Sequence, residues 1–393
     1  MRRIVAISDF CDRVPPEPVH APPESFARAW GCAEPVPHAG AARVTGGYLE
    51  RLPLAAVAAG LADVAEVWTW AGQDGEDAFD ARRALHGGVP RGPWIERPGL
   101  LRRVLRAEGH PAPYGSRDAV AHMAAQGAPD ILCVWGLGVA HEVLDAARGA
   151  VLVYNSIDVP PLRVPLDLAR RFDVILAGSD WQAEAIRAAC PEALVAVLPI
   201  GPEFASPDTF RPLGLPKDFD VAYVAAAQPY KRHDLLLDTL ERRPGTRALC
   251  VMGYGEMGQS LRGEAARRGL DVTFVGPPGV SHDEVNRLIN RARVGLVCGR
   301  DDGAPAILTE YMLAGLPVLA NAELACGLQY VTPETGLAAR EGEFAEALGE
   351  LLGGDGELNP RRVVEARWTW PHGIARFQQL VDEARLRKRR HEG

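Results

Sequence analysis

Short apolar runs alternate with amphipathic stretches along the N-terminal half of the chain. The first run, RRIVAIS, covers Arg2 to Ser8, and further runs are PDILCVWGL, AVLVYNSID, FDVILAGS and ALVAVLPIG. Charged residues, glycine or proline bound each run, which is the pattern of buried strands separated by helices. This alternation predicts a parallel sheet with helices on both faces.

A second series of strands and helices follows a connector that is rich in proline and glycine. The connector is PIGPEFASPDTFRPLGLPKD, and the strands predicted after it are DVAYVAA, ALCVMGYG, VTFVGPP, VGLVCG and PVLAN. The length of 393 residues also favours two domains, because single cores stop growing at roughly 250–300 residues. We therefore predict an α/β chain with two Rossmann-like parallel-sheet domains, over residues 1–209 and 210–365, that face a ligand-binding cleft.

Composition and charge narrow the class of protein further. Hydrophobic residues at 47% and charged residues at 24% indicate a folded globular chain. A net charge of −8 argues against a general nucleic-acid binder. The basic runs LLRRVLR and Arg385 to Arg390 are expected to be a solvated helix face and a frayed tail, although peripheral contact with anionic lipid or an acidic carrier protein stays open.

Targeting signals and cysteine spacing point to a cytoplasmic protein. No apolar run approaches the roughly 18 residues of a spanning helix. Asp9 and Asp12 interrupt the start of the chain before a signal-peptide core could form. The seven cysteines are scattered, without a C-x-x-C pair or a histidine at ligand spacing, so we expect buried, reduced cysteines rather than a metal site.

The stretch from Gly299 to Asn321 carries the strongest candidate chemistry. Its sequence, GRDDGAPAILTEYMLAGLPVLAN, places a loop rich in glycine and proline between a strand and a helix that we expect to begin near Pro305. Such a helix N-terminus, with an uncharged first turn, suits a diphosphate. Asp302 in the loop and Glu310 in the helix offer carboxylates to the hydroxyl groups of a sugar and a ribose. The alternative is that Asp302 caps the helix and Glu310 lies on the surface.

The same stretch resembles the signature of the group-4 retaining glycosyltransferases, EGFGLPVLEAMACGLPVVA. DGAPAILTEYMLAGLPVLA matches it in length, in both acidic positions and in its ending. Three more segments are similar to family motifs: PYKRHDLLLDTL to PRKGxDLLLEAL, VMGYGEMGQSLRGEAARRGLDVTFVG to VGDGPExxxLExLAxxLGLxDRVxFLG, and ETGLAA to TGLLVP. The resemblance is dense from Asp220 to Ala384 and implies a GT-B fold. It also implies that residues 366–393 form a helix that crosses back to the first domain, followed by the basic tail.

The resemblance implies a retaining, metal-independent transfer of a hexose-type sugar from a UDP or GDP donor to a hydroxyl or amine acceptor. The acceptor would be a natural product, a lipid, a glycan or a carrier-bound intermediate. The nucleotide sugar is a substrate, so neither a cofactor nor a metal is expected.

Roles for individual residues follow from the same resemblance. Glu310 would bind the ribose, Asp302 the donor sugar and Lys231 the diphosphate. The adjacent Arg232 would help to stabilise the leaving group, and Tyr254 in the GYG loop would stack on the base. Further donor contacts are implied for Gly46, Gly47, Gly303, Ala304, Pro305, Ala306 and Ile307.

Parts of the chain depart from the family pattern. Ala226 stands where relatives carry a basic residue five positions before the lysine, which removes one phosphate contact. The histidines usual in the first domain are missing, but VYNSID resembles a YDxxD variant and makes Asp158 a candidate catalytic contact to sugar or acceptor. The alternative for Asp158 is a turn-forming aspartate. The Pro-rich loop at 14–37 is a candidate acceptor lid.

Three other functions stay open at this point. Gly253 to Gly258 fits G-x-G-x-x-G, as in NAD-dependent oxidoreductases, but the next predicted strand ends in Gly276 rather than in an acidic residue that would bind ribose. A GT-B epimerase or a pseudoglycosyltransferase would use the same donor. A catalytically weak binding protein would fit the alanine at 226.

Overall fold

The computed structural model describes six ranges of the chain. These are residues 1–12, 43–71, 94–97, 99–109, 111–354 and 358–392. The candidate acceptor lid at 14–37 lies outside the described residues. Two compact units divide the chain: Met1–Ile200 together with Gly373–Gly393, and Gly201–His372. The predicted boundary at residue 210 lies within the second unit.

The first unit contains an eight-stranded sheet in the order β3-β4-β2-β1-β5-β6-β7-β8. Its strands are β1 Arg3–Asp12, β2 Val64–Ala71, β3 Trp94–Arg97, β4 Leu100–Arg106, β5 Ile131–Trp135, β6 Val151–Asn155, β7 Val174–Ala177 and β8 Leu194–Val197. The helices between them are α1 Arg51–Ala58, α2 Arg117–Gln126, α3 His141–Ala146, α4 Leu166–Ala169 and α5 Asp180–Ala189. All neighbouring strands are parallel except β3 and β4. Every residue of β5 and β6 is buried, as expected of strands that have helices on both faces.

The second unit contains a six-stranded sheet in the order β11-β10-β9-β12-β13-β14, and all its pairings are parallel. Its strands are β9 Phe219–Val224, β10 Ala248–Val251, β11 Val272–Val275, β12 Ala292–Val297, β13 Val318–Asn321 and β14 Gly336–Ala339. Its helices are α6 His233–Arg242, α7 Gly258–Arg267, α8 His282–Ile289, α9 Ile307–Leu313, α10 Phe344–Gly353 and α11 Pro360–Arg367. The predicted α/β class with two parallel sheets is confirmed.

The predicted helix at the first basic run is wrong, because LLRRVLR forms strand β4. Alternation along the strand sends Arg102 and Arg103 to opposite faces of the sheet. Arg102 lies 3.2 Å from the Glu50 carboxylate, and Arg103 lies 3.5 Å from the Glu66 carboxylate. Both carboxylates are distant in sequence, so the pattern within the run gave no sign that these charges are paired.

Gly46 and Gly47 precede helix α1, which begins at Arg51. Gly46 has a φ of 93°, which a right-handed helix cannot include. The two glycines therefore lie in the loop before α1.

The last helix, α12, runs from Trp370 to Glu392, so the expected frayed tail is instead helical. Residues from Gly373 onward belong to the first unit. Lys388 lies 2.9 Å from the Asp173 carboxylate, and Arg376 donates to the Val197 carbonyl at 2.7 Å. These contacts fix the basic end of the helix. Across the described ranges, no helix combines the length and the apolar character that crossing a membrane requires.

One tyrosine joins three elements of the second unit. The Tyr311 hydroxyl, on α9, accepts from the Val224 N–H at 2.7 Å and donates to the Ala222 carbonyl at 3.1 Å. Its ring lies over Gly295 of β12, where an added Cβ would be 2.4 Å from the ring. The pairing of β9 with β12 ends at Ala222 and Gly295, and the hydroxyl takes up the backbone groups of β9 there. Burial raises the pKa of this phenol well above its usual value, so it keeps the proton that it donates.

We expect Tyr311→Phe to lower the free energy of unfolding by about 1–3 kcal/mol, because the Val224 N–H and the Ala222 carbonyl lose a buried partner. A urea titration of both proteins measures the change. Tyr254→Phe is the matched control, since Tyr254 is 64% exposed. Equal stabilities for Tyr311→Phe and the unchanged protein would contradict this role.

Candidate functional site

Three loops meet at the carboxyl ends of neighbouring strands in the second unit. They follow β9, β10 and β12, which lie side by side in the sheet. The Ala227 N–H donates to the Tyr254 carbonyl at 2.7 Å, which joins the first two loops. The Arg300 N–H donates to the Tyr230 carbonyl at 3.4 Å, which joins the first and third. The loops that carry the candidate residues of this unit are therefore in direct contact.

Lys231 and Asp302 form an ion pair in this place. Their side chains are 16% and 13% exposed, so the pair is mostly removed from water. The Tyr223 hydroxyl donates to the Lys231 carbonyl, and the Lys231 ammonium lies 4.9 Å from the centre of the Tyr230 ring. The structure thus brings together two predicted site residues that are 71 positions apart.

The loop around Asp302 does not cap the following helix with a side chain. Helix α9 begins at Ile307, and Ala306 is its N-cap residue. The alternative in which Asp302 caps the helix is therefore wrong. Ala304 has a φ of 68°, a left-handed conformation that keeps the helix from starting earlier.

Glu310 is 6% exposed, so the alternative of a surface residue is also wrong. Because α9 begins two residues later than predicted, Glu310 falls in its first turn. The expectation of an uncharged first turn is thus wrong. A carboxylate there offsets the positive end of the helix dipole, and the helix has only seven residues. The helix end is therefore a weaker candidate for binding a diphosphate than the sequence predicts.

The connector before β9 packs against the same helix, a contact that no local sequence pattern indicates. The Thr309 hydroxyl donates to the Pro202 carbonyl at 3.0 Å. An added Cβ on Gly201 would be 3.0 Å from the Ala306 Cβ. A glycine therefore suits this position, because a larger residue would press on the loop from Gly303 to Ile307.

Arg232 is engaged by two carboxylates. Its guanidinium donates to Asp234 at 2.7 Å and to Glu341 at 2.5 Å, and these bonds raise its pKa above the ordinary value. Its φ of 53° is left-handed, which accounts for the glycine that the resembled motif PRKGxD has at this position. Its predicted role in donor binding stays a prediction.

Tyr254 lies at the tip of the loop after β10 and is 64% exposed. Gly255 has a φ of 117°, and an added Cβ would be 2.4 Å from the Ala227 carbonyl oxygen. Glycine is needed there for the close approach of two loops. The ring is exposed, and its predicted stacking on the base of a donor stays a prediction.

Gly46 and Gly47 lie in a loop of the first unit that neighbouring side chains hold. Arg51 donates to the Gly46 carbonyl at 2.7 Å, and the Gly47 N–H donates to the Glu50 carboxylate at 2.7 Å. The Gly47 N–H, in a loop for which the resemblance implies donor contacts, is thus paired with an anionic oxygen of the protein itself. Phosphate binding by this loop stays a prediction.

Asp158 lies in a tight turn after β6. Its carboxylate accepts from the Val159 N–H at 2.9 Å and lies 3.3 Å from the Arg163 guanidinium. The preceding Ile157 has a φ of 56°, which is rare for a β-branched residue, and its N–H donates to Asn155 at 2.7 Å. These contacts are those of a turn-forming aspartate. A catalytic contact by Asp158 is not tested by them.

His233, which no sequence motif singles out, is buried beside the ion pair of Lys231 and Asp302. It is 2% exposed, and neither ring nitrogen has a hydrogen-bond partner among the described residues. Its ring lies 5.0 Å from that of Tyr223. Burial lowers its pKa to about 4, while Asp234 acts in the opposite direction and Lys231 lowers the pKa further.

The fold and the motifs of this site have known relatives. Residues 206–362 match the family model of the glycosyl transferases group 1. The resemblance to glycosyltransferases is therefore confirmed.

Curated relatives include D-inositol 3-phosphate glycosyltransferases. The protein of that name from Mycobacteroides abscessus is 30% identical over 161 residues, which are 38% of this chain and 36% of the relative. The one from Mycobacterium tuberculosis (strain ATCC 25177 / H37Ra) is 26% identical over 293 residues, 66% of this chain and 60% of the relative. The chain thus spans between about a third and three fifths of these relatives.

Solved structures match nearly the whole chain. Sucrose-phosphate synthase from Thermosynechococcus elongatus has a TM-score of 0.66 at 19% identity, with 98% of this chain and 99% of that chain covered. Anabaena HepE in complex with UDP and glucose has a TM-score of 0.63 at 17% identity, with 98% and 100% covered. At these identities the likeness shows the fold, and the predicted GT-B fold is confirmed.

We expect the free energy of unfolding to fall as the pH decreases from about 6.5 towards 4. In this range His233 binds a proton in the unfolded chain, whereas the buried residue of the folded protein stays neutral. At pH 5 this residue alone accounts for about 2 kcal/mol, at 1.36 kcal/mol per pKa unit. His122 of α2, whose pKa is also lowered to about 4, acts in the same direction.

Urea titrations at pH 7 and pH 5 measure the effect on the free energy of unfolding. His233→Leu should reduce the difference between the two pH values, and His372→Gln, at an exposed position, should leave it unchanged. An identical pH dependence in His233→Leu would contradict the assignment.

Proposed function

We propose that this chain is a retaining glycosyltransferase that moves a hexose-type sugar from a UDP- or GDP-sugar to a hydroxyl or amine acceptor. The observation that carries the proposal is the contact between Lys231 and Asp302 at the carboxyl ends of the strands, inside the segment that matches the glycosyl transferases group 1. Relatives named as glycosyltransferases, and a similar fold solved with UDP and glucose, support the same reaction.

The donor contacts that we propose divide by chemistry. Lys231 binds the diphosphate as a compact positive charge. Asp302 accepts hydrogen bonds from the sugar hydroxyls, and Glu310 accepts them from the ribose, since ionised carboxylates are acceptors only. Tyr254 stacks on the base.

In the reaction that we propose, the bond between the anomeric carbon and the diphosphate oxygen breaks while the acceptor oxygen or nitrogen bonds to that carbon on the same face. The proton of the acceptor passes to the leaving phosphate oxygen. Lys231 stabilises the negative charge that develops on the diphosphate. Asp158 stays a candidate for a contact to sugar or acceptor, and the acceptor is a natural product, lipid, glycan or carrier-bound intermediate.

Glu310→Ala should weaken binding of the nucleoside diphosphate strongly, because each hydrogen bond to a charged group contributes about 1.5–3 kcal/mol. Calorimetry with UDP and GDP measures the dissociation constant. Glu334→Ala, which removes an exposed carboxylate of the same unit, is the control. An unchanged dissociation constant in a folded Glu310→Ala protein would remove Glu310 from the site.

Lys231→Ala should lower kcat by on the order of 10²–10³, the effect of removing one preorganised group that stabilises developing charge. Affinity for the nucleoside monophosphate should change little. Lys231→Arg should not restore the rate fully, since a planar guanidinium places its charge differently. Lys217→Ala, at an exposed position, is the control, and near-normal turnover of Lys231→Ala would shift the assignment to Arg232.

Activity should survive EDTA, because we propose that the Lys231 ammonium supplies the positive charge that a divalent cation supplies elsewhere. Initial rates with and without EDTA, followed by addition of manganese or magnesium, measure this. A strict requirement for either metal would contradict the metal-independent mechanism.

A further inference from the structure

Two groups that we assign to different parts of the donor are bound to each other in this structure. Lys231 is the proposed ligand of the diphosphate, and Asp302 is the proposed ligand of the sugar. Their ion pair is largely shielded from water, with side-chain exposures of 16% and 13%. A donor that uses both groups must separate them.

The free energy that it costs to break the ion pair between Lys231 and Asp302 differs from one ligand to another. A buried charge that loses its partner is strongly destabilised, whereas one that changes partner is not. A bare nucleoside diphosphate offers a new partner to Lys231 only, and it leaves the Asp302 carboxylate without one. A nucleotide sugar offers phosphate oxygens to the lysine and hydroxyl donors to the aspartate.

Neighbouring cations are engaged with other carboxylates. Arg232 is bound to Asp234 and Glu341, and Arg300 lies 3.1 Å from Glu323. Among the described residues of these loops, Lys231 is therefore the cation that forms an ion pair with Asp302. The competition between Asp302 and a diphosphate is for this one ammonium group.

We propose that Asp302 is a specificity-determining residue that competes with the donor diphosphate for Lys231. The competition favours the complete nucleotide sugar over the bare nucleoside diphosphate. It also favours release of the nucleoside diphosphate after transfer, because Asp302 recovers Lys231 once the sugar hydroxyls have gone. This inference rests on the proposed function.

Calorimetry with UDP and with UDP-glucose tests the inference on the full chain. Asp302→Asn removes the competing charge, so it should bind UDP about tenfold more tightly than the unchanged protein, in keeping with the strength of buried ion pairs. The ratio of the dissociation constant of UDP to that of UDP-glucose should fall by a similar factor or more. Asp301→Asn, one residue away and exposed, should leave both affinities unchanged.

The outcomes separate this inference from the proposed function. Binding of UDP and UDP-glucose by the unchanged protein, with unchanged or weaker UDP binding in Asp302→Asn, overturns the competition alone. If the unchanged protein binds neither ligand, GDP and a GDP-sugar replace them in the same comparison, and binding of none of the four contradicts the proposed function and the inference with it. If thermal melting shows that Asp302→Asn is unfolded, Asp302→Ser removes the same charge with a smaller side chain and is held to the same criteria.

Discussion

The hydroxyl of Tyr311 is the contact on which the geometry of the second unit depends. It takes up one backbone donor and one backbone acceptor of β9, while its ring packs on Gly295 of β12. The two strands lead to the loops of Lys231 and Asp302, and Tyr311 itself follows Glu310 in α9. One buried side chain therefore fixes the relation between three candidate ligands of the donor. The glycine leaves room for the ring, and β9 leaves the Val224 N–H and the Ala222 carbonyl to the hydroxyl where its pairing with β12 has ended.

The electrostatics of the site follow from burial. Lys231 and Asp302 are shielded enough that each needs a partner, and in the structure each is the partner of the other. The Gly47 N–H in the first unit is likewise paired with the Glu50 carboxylate. In our proposal a donor exchanges such internal partners for its own phosphates and hydroxyl groups. The free energy of binding is then a difference between two well-paired states, which makes it sensitive to a missing sugar.

The alternation of strands with helices and the pair of acidic residues could be predicted from the sequence because both are local patterns. The sequence placed βα units in both halves and put Asp302 and Glu310 eight positions apart in one loop and helix, and the structure agrees with that arrangement. It could not show that Asp302 contacts Lys231, since that pairing depends on the order of β9 and β12 in the sheet. Likewise, LLRRVLR has the composition of a solvated helix. In the structure Arg102 is buried and Arg103 is half-buried, and their charges are paired with Glu50 and Glu66, which lie elsewhere in the chain.

The central claim is that the chain uses a nucleotide sugar as the donor of a glycosyl group. Incubation with a panel of UDP-, GDP- and dTDP-sugars, followed by mass spectrometry of the nucleotides and by thermal melting, tests it most directly. We expect a UDP- or GDP-sugar to raise the melting temperature of the protein and to be converted to its nucleoside diphosphate. We expect NADH to leave the melting temperature unchanged. Stabilisation by NADH, or no change with any nucleotide sugar, would contradict it.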